Sequence, residues 1–396
     1  MMSSTSSLLE SSSTWWLAAG GSFLFASGIL AGRVLSKKKA VIIRSPRTTI
    51  LPKLTDEEKS DLPYPPDVFP GARDVDTPYG SIRAYEFGPE DGRKVLFIHG
   101  ISTPCVSLGV VAHALVKKGC RVMLFDLFGR GYSDTPDDLS QDIRLFTTQI
   151  LLVLASSPLS WTGKDSGKFS LVGYSLGGGV GASFASYFPD LLDTLILIAP
   201  AGLLRPHHIS KTSHIIYSEE IIPESLLQSI VRKRLRRPMS APLPAADDKD
   251  AKLDVTDAMQ AEVTIEANST AVLSQSRPHV TNEKCVADQL DNHMGFVGAF
   301  MSSIRYAPIR DQHERWQMVG AQLSKTNKKK GSQKKVLVVL GAKDSIIVKQ
   351  EIQEDAAAAL SGNVEFAVFD DAAHDVPIVK GSQVAEKIVD FWRRTD

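Results

Sequence analysis

Cysteine is scarce. Cys105, Cys120 and Cys285 are the only three in 396 residues, scattered and odd in number. That excludes a disulfide framework, and no CxxC pair is present to bind zinc or exchange thiols. The usage fits a reducing compartment. Net charge is absent as well, since 45 Lys+Arg balance 45 Asp+Glu. No global field therefore draws the chain to nucleic acid. The Walker signature GK[ST] is missing, and Ser175 interrupts the glycines where GxGxxG would need them, so a nucleotide-cradling loop is not expected. HExxH is missing too. His207, His208 and His214 are the one conceivable metal cluster, and no acid-rich helix supports it. No cofactor, metal or nucleic-acid partner is expected.

Charge is also missing locally, between Glu10 and Arg33. The stretch WWLAAGGSFLFASGILAG, extended by Val34 and Leu35, is about as long as a helix that crosses a ~30 Å hydrocarbon core. Trp15 and Trp16 sit at one end and Arg33, Lys37, Lys38 and Lys39 at the other. A cleaved signal peptide carries its positive charge before the apolar core, whereas here it follows. Residues 1–36 are read as an uncleaved membrane anchor, a single-pass helix. The positive-inside rule then puts the rest of the chain in the cytosol, on the endoplasmic reticulum or another intracellular membrane. The sequon at Asn268 carries little weight against this.

What is present is 43% apolar residue content, which suits a folded globular protein, over 396 residues, room for one large domain or two ordinary ones. Residues 37–75 are rich in proline and charge with little periodicity, and read as an extended linker. From 76 onward strands and helices alternate. Residues 81–87 read as an antiparallel strand. VLFIHG and RVMLFDL read as strands buried on both faces, and KFSLVG, TLILIAP, KKVLVVLG and NVEFAVF as further strands. Helices are expected near 105–118, 140–156, 176–188, 348–360 and from 382. This is an α/β fold with a mostly parallel sheet covered on both sides. It is expected in two parts, 76–203 and 321–396, around an inserted helical lid at 204–320 with helices at 219–237 and 285–306. The lysine-rich stretch 324–335 reads as a solvated loop.

Gly173-Tyr174-Ser175-Leu176-Gly177 matches G-x-S-x-G where a strand passes into a helix. That context makes it a nucleophile elbow: the flanking glycines leave room for a turn tight enough to lift the serine above the sheet. A serine hydroxyl needs a base. His374 lies just past a late strand in FDDAAHDVP, and Asp344 lies past the preceding one in GAKD. The order Ser175, Asp344, His374 is the one expected for a triad on such a sheet. Asp370 and Asp371 reach His374 awkwardly and Asp375 is expected to face away. The oxyanion donors are expected to be the amides of Leu176 and Ile101. His99 reads as structural.

Together FIHG (97–100), DLFGRGYSD (126–134), GYSLGG (173–178), GAKD (341–344) and AAHDVP (372–377) resemble the α/β-hydrolase superfamily in its serine-triad branch. DLFGRGYSD looks like that family's structural loop after a central strand. A serine at the elbow departs from the aspartate of epoxide hydrolases and dehalogenases. Val379, five residues after His374, departs from the His-x4-Asp of acyltransferase relatives. The anchor and insertion make the chain similar to membrane-bound monoacylglycerol-lipase-type esterases. The resemblance implies a serine hydrolase of carboxylic esters, acting on a lipid or other small apolar acyl ester. An amidase or peptidase of the same fold, or a non-catalytic membrane scaffold, stays open at this point.

Overall fold

The computed structural model describes residues 41–163, 167–205, 223–236, 271–331 and 333–395. The apolar segment 15–36, the three clustered histidines at 207, 208 and 214, and Asn268 lie outside them. Among the described residues no helix is long and apolar enough to cross a membrane.

Among the described residues ten strands run in chain order: β1 Ile42–Ile43, β2 Ala72–Thr77, β3 Gly80–Phe87, β4 Arg93–Ile98, β5 Cys120–Phe125, β6 Thr135–Pro136, β7 Phe169–Tyr174, β8 Leu192–Ile198, β9 Val336–Gly341 and β10 Val364–Phe369. The longer helices are α1 Gly109–Lys117, α2 Ile143–Ala155, α3 Leu176–Tyr187, α4 Glu224–Leu235, α5 Asn282–Asn292, α6 Phe296–Tyr306, α7 His313–Lys330, α8 Lys349–Ala359 and α9 Gly381–Thr395.

Eight strands form one sheet in the order β10-β9-β8-β7-β4-β5-β3-β2. From β10 to β5 every pairing is parallel; β3 and β2 add antiparallel at one edge. Parallel strands need crossovers, and helices supply them. The central strands are apolar throughout because both faces are covered: Val95 to Ile98, Val122 to Phe125 and Val336 to Leu340 are essentially inaccessible. Helix α1 packs against α9, while α3 packs against both α2 and α7, and α7 against α8. Every parallel strand ends on the same side, so the loops after β4, β7, β9 and β10 gather along one rim.

The extended linker expected over 37–75 is not what residues 42–75 form. Short helices occupy Pro46–Thr49 and Asp56–Ser60, and β2 begins at Ala72. Tyr64, Val68 and Phe69 are buried, with Tyr64 stacked on Tyr132 at 5.1 Å between ring centroids. The Ser45 amide donates to Asp134 Oδ1 at 2.8 Å. The segment packs through single side chains set between prolines, so no stripe of period 2 or 3.6 exists to betray it.

The lysine-rich loop is also corrected. Residues 313–330 are one helix, α7, which runs through the expected boundary at 320 and ends at Gly331 with φ 63. Trp316 and Val319 are buried on one side of it. Within α7, Asn327 Oδ1 accepts from the Lys334 amide at 2.8 Å, and Asn327 Nδ2 donates to the Lys334 carbonyl at 2.9 Å. Lysine favours helix and solvent equally, so its abundance did not mark a break. The helix expected over 285–306 is two helices. The chain turns at His293-Met294-Gly295, where the Gly295 amide donates to His293 Nδ1 at 3.2 Å and His293 Nε2–H donates to the Ser133 carbonyl at 2.9 Å.

Candidate active site

Ser175 is the turn between β7 and α3. Its φ of 52° and ψ of −118° are a costly conformation for a residue with a side chain. The surroundings enforce it. The Ser175 amide donates to the Ile198 carbonyl at 3.0 Å, and the Ser175 carbonyl accepts from Gly178 and Ala201, each at 2.9 Å. A Cβ on Gly173 would lie 2.2 Å from the Gly177 carbonyl oxygen, and one on Gly177 would lie 2.1 Å from that of Ile98. The glycines around the serine thus admit a helix pressed directly onto two strand ends.

His374 follows β10 and Asp344 follows β9. Asp344 Oδ1 accepts from the amides of Ile346 and Ile347, both at 2.8 Å, which fixes the carboxylate. Its Oδ2 lies 2.7 Å from His374 Nδ1, and His374 Nε2 lies 3.0 Å from Ser175 Oγ. A carboxylate at Nδ1 keeps the proton there, so Nε2 is the acceptor facing the hydroxyl. Asp344 and His374 are each 1% exposed, and Ser175 is 7% exposed. Three side chains from three loops therefore form one chain of hydrogen bonds, shielded from water except at the serine. Such an arrangement can take the serine proton as the oxygen attacks a carbonyl, and hold the imidazolium that forms.

The rival carboxylates are elsewhere. Asp370 and Asp371 are exposed, and Asp371 pairs with Lys380. Asp375 is buried at the head of the short helix Val376–Val379.

Leu176 is the first residue of α3, a position whose amide has no acceptor within the helix. Ile101 lies in the loop after β4, 3% exposed, and its carbonyl accepts from Arg130 Nε at 3.0 Å. His99 is structural. Its Nε2 accepts from the Leu127 amide at 2.9 Å, so Nδ1 carries the proton given to the Gly100 carbonyl at 2.8 Å. Burial, with Arg130 nearby, pushes its pKa down to about 3.

The loop DLFGRGYSD is held from within. Asp126 accepts from the amides of Cys105 and Tyr132, each at 3.0 Å, and from the Tyr64 hydroxyl at 3.0 Å. Burial raises its pKa despite those donors.

Sequence reasoning missed two residues that bear on this rim. Tyr174, fully buried, donates its hydroxyl to the His374 carbonyl at 3.1 Å. Its place inside the elbow was the available signal. Gln289 of α5 donates to the Ser102 carbonyl at 2.9 Å and accepts from the Gly131 amide at 2.7 Å. Nothing local in sequence marks it.

An uncharacterized protein of Mycobacterium tuberculosis is 31% identical over 153 residues, 39% of this chain and 42% of that protein. A serine hydrolase-like protein of Danio rerio is 27% identical over 128 residues, 32% of this chain and 37% of that one. The chain thus spans about two fifths of the length of the curated relatives it matches. Among solved structures, an enol-lactonase from Burkholderia xenovorans aligns over 81% of this chain and 100% of its own, at 15% identity and TM-score 0.53. Epoxide hydrolase A from Mycobacterium thermoresistibile aligns over 83% and 99%, at 18% identity and TM-score 0.53. At such identities these two establish the fold alone. Residues 95–387 match the alpha/beta hydrolase family, from the first central parallel strand into the last helix, and the chain belongs to that family.

Proposed function

We propose that this chain is a serine hydrolase that cleaves carboxylic esters of lipids or other apolar acyl compounds. The carrying observation is the continuous chain Asp344–His374–Ser175, at 2.7 and 3.0 Å. In this reading Ser175 Oγ attacks the ester carbonyl while His374 Nε2 takes its proton. Asp344 holds the imidazole in the required tautomer and stabilises it once charged. The amides of Leu176 and Ile101 donate to the tetrahedral oxyanion, each worth about 3 kcal/mol of barrier. His374 then protonates the departing alkoxide, leaving an acyl-enzyme. Water, deprotonated by the same imidazole, releases the acid.

An apolar substrate is favoured by two features. One is the apolar segment 15–36, read as a membrane anchor with the hydrolase on the cytosolic side. The other is α4, which exposes Leu226 and Ile230 one turn apart, at 55% and 40%, beside the exposed Lys233. Such a face suits contact with a lipid surface.

A fluorophosphonate probe tests the chemistry. The intact protein is expected to be labelled, and Ser175→Ala to remain unlabelled and inactive on p-nitrophenyl acyl esters. Hydrolysis of aminoacyl amides in preference to those esters would overturn the ester assignment. Protease digestion of sealed vesicles tests the topology: a domain protected without detergent contradicts a cytosolic hydrolase.

A further inference from the structure

The loop after β4 carries Ile101, yet the bonds that hold it come from elsewhere. Gln289, on α5 and 2% exposed, spans two loops. Its amide nitrogen donates to the Ser102 carbonyl at 2.9 Å, and its oxygen accepts from the Gly131 amide at 2.7 Å. Arg130, fully buried, makes a second tie. Its Nε donates to the Ile101 carbonyl at 3.0 Å and its Nη1 to the Phe128 carbonyl at 3.0 Å. Its Nη2 donates to Ser303 Oγ, on α6, at 2.8 Å. Ser303 is itself buried and donates to the Ala299 carbonyl at 2.9 Å.

Two consecutive carbonyls, those of Ile101 and Ser102, are thus gripped by side chains that are rooted in, or bonded to, the helices inserted between β8 and β9. Fixing both carbonyls fixes the peptide planes on either side of Ser102, and with them the direction of the loop that presents the Ile101 amide. A guanidinium is suited to this because its rigid fork of donors can hold several carbonyls at once.

We propose that Gln289 and Arg130 are positioning residues that pin the Ile101–Ser102 backbone in its donor geometry, so that the inserted helices α5 and α6 set the oxyanion site. The proposal rests on the acyl-transfer reading and on Ile101 as one of the two oxyanion donors. Neither residue meets the substrate in this scheme. Each acts through backbone, so its loss weakens transition-state stabilisation and leaves ground-state binding in place.

The test uses the full chain with Gln289→Met, which removes both of that residue's bonds at similar volume, and Ser303→Ala, which removes only the outer anchor of Arg130. For p-nitrophenyl butyrate, Gln289→Met is expected to lower kcat roughly 10- to 100-fold with KM within about twofold, as a displaced oxyanion donor should. Ser303→Ala is expected to act in the same direction and less strongly, which keeps the idea testable should Gln289→Met misfold. Hydrogen exchange supplies a readout independent of turnover: amides 100–103 should exchange faster in both variants while 173–178 keep their protection. A raised KM at unchanged kcat would make Gln289 part of the substrate pocket and overturn the proposal. Unchanged exchange at 100–103 in folded variants would overturn it as well. A wild-type chain that never reacts with the fluorophosphonate fails at the acyl-transfer reading instead, and takes the oxyanion role with it.

Discussion

The Tyr174 hydroxyl reaches the backbone carbonyl of His374 at 3.1 Å, and the two rings pack with centroids 5.4 Å apart. The residue just before Ser175 therefore braces the loop that carries His374. This contact joins β7 to the loop after β10, across two intervening strands.

Tyr174→Phe keeps the ring contact and deletes the bond. A buried hydrogen bond of this kind is worth about 1 kcal/mol. The expected result is a several-fold loss of kcat at unchanged KM, with Tyr174→Ala losing much more through the vacated ring volume. Steady-state kinetics on a soluble ester would check both.

Asp344→Asn is expected to lower kcat roughly 10³–10⁴-fold while the protein stays folded. The remaining amide oxygen can still accept from Ile346 and Ile347, so the loop should hold. The amide nitrogen would donate to His374 Nδ1 and impose the wrong tautomer. Fluorophosphonate labelling rates and a thermal melt, read together, separate lost chemistry from lost fold.

Acid should destabilise the protein through two buried imidazoles. Burial lowers the pKa of His293 from 6.5 to about 4 and that of His99 from 6.5 to about 3. Because the folded values are depressed, the unfolded chain takes up these protons first. Stability is full above pH 6.5 and falls as pH drops toward 4, after which the His293 contribution levels off. Across its window His293 accounts for about 3 kcal/mol and His99 for about 5 kcal/mol. Urea midpoints measured from pH 7.5 to 4.5 should fall accordingly, and His293→Gln should flatten part of that slope. A midpoint independent of pH over this range would contradict the burial of both neutral rings.

Gly177→Ala should be far more damaging than Gly119→Ala. The first forces a Cβ to within 2.1 Å of the Ile98 carbonyl, backbone against backbone, and should cost about 3 kcal/mol or more. At Gly119, with φ +86, nothing lies within 4 Å. Only the backbone conformation resists there, at roughly 1 kcal/mol. Chemical denaturation of the two variants would show the difference directly.

Much of this was legible beforehand because parallel strands announce themselves as unbroken apolar runs. Ser175, Asp344 and His374 each follow such a run, so three short motifs were enough to place them on one rim. Tyr64 and Phe69 were illegible for the opposite reason: each is a lone anchor between prolines, with no neighbours in register. Helix α7 was hidden by its own lysines. Gln289 lies beyond any local pattern, since it binds Ser102 from 187 residues away; Arg130 sits in DLFGRGYSD, but its bond to Ser303 spans 173 residues.

Ser175 and His374 are separated by 199 positions. At a synthesis rate of about 5–20 residues per second, the hydroxyl leaves the ribosome some 10–40 s ahead of its imidazole. In the proposed reaction, a nascent chain can already have made its elbow and still lack the base that would activate it. Premature termination anywhere before β10 would leave Ser175 without that imidazole, so ester cleavage would report a chain translated past His374.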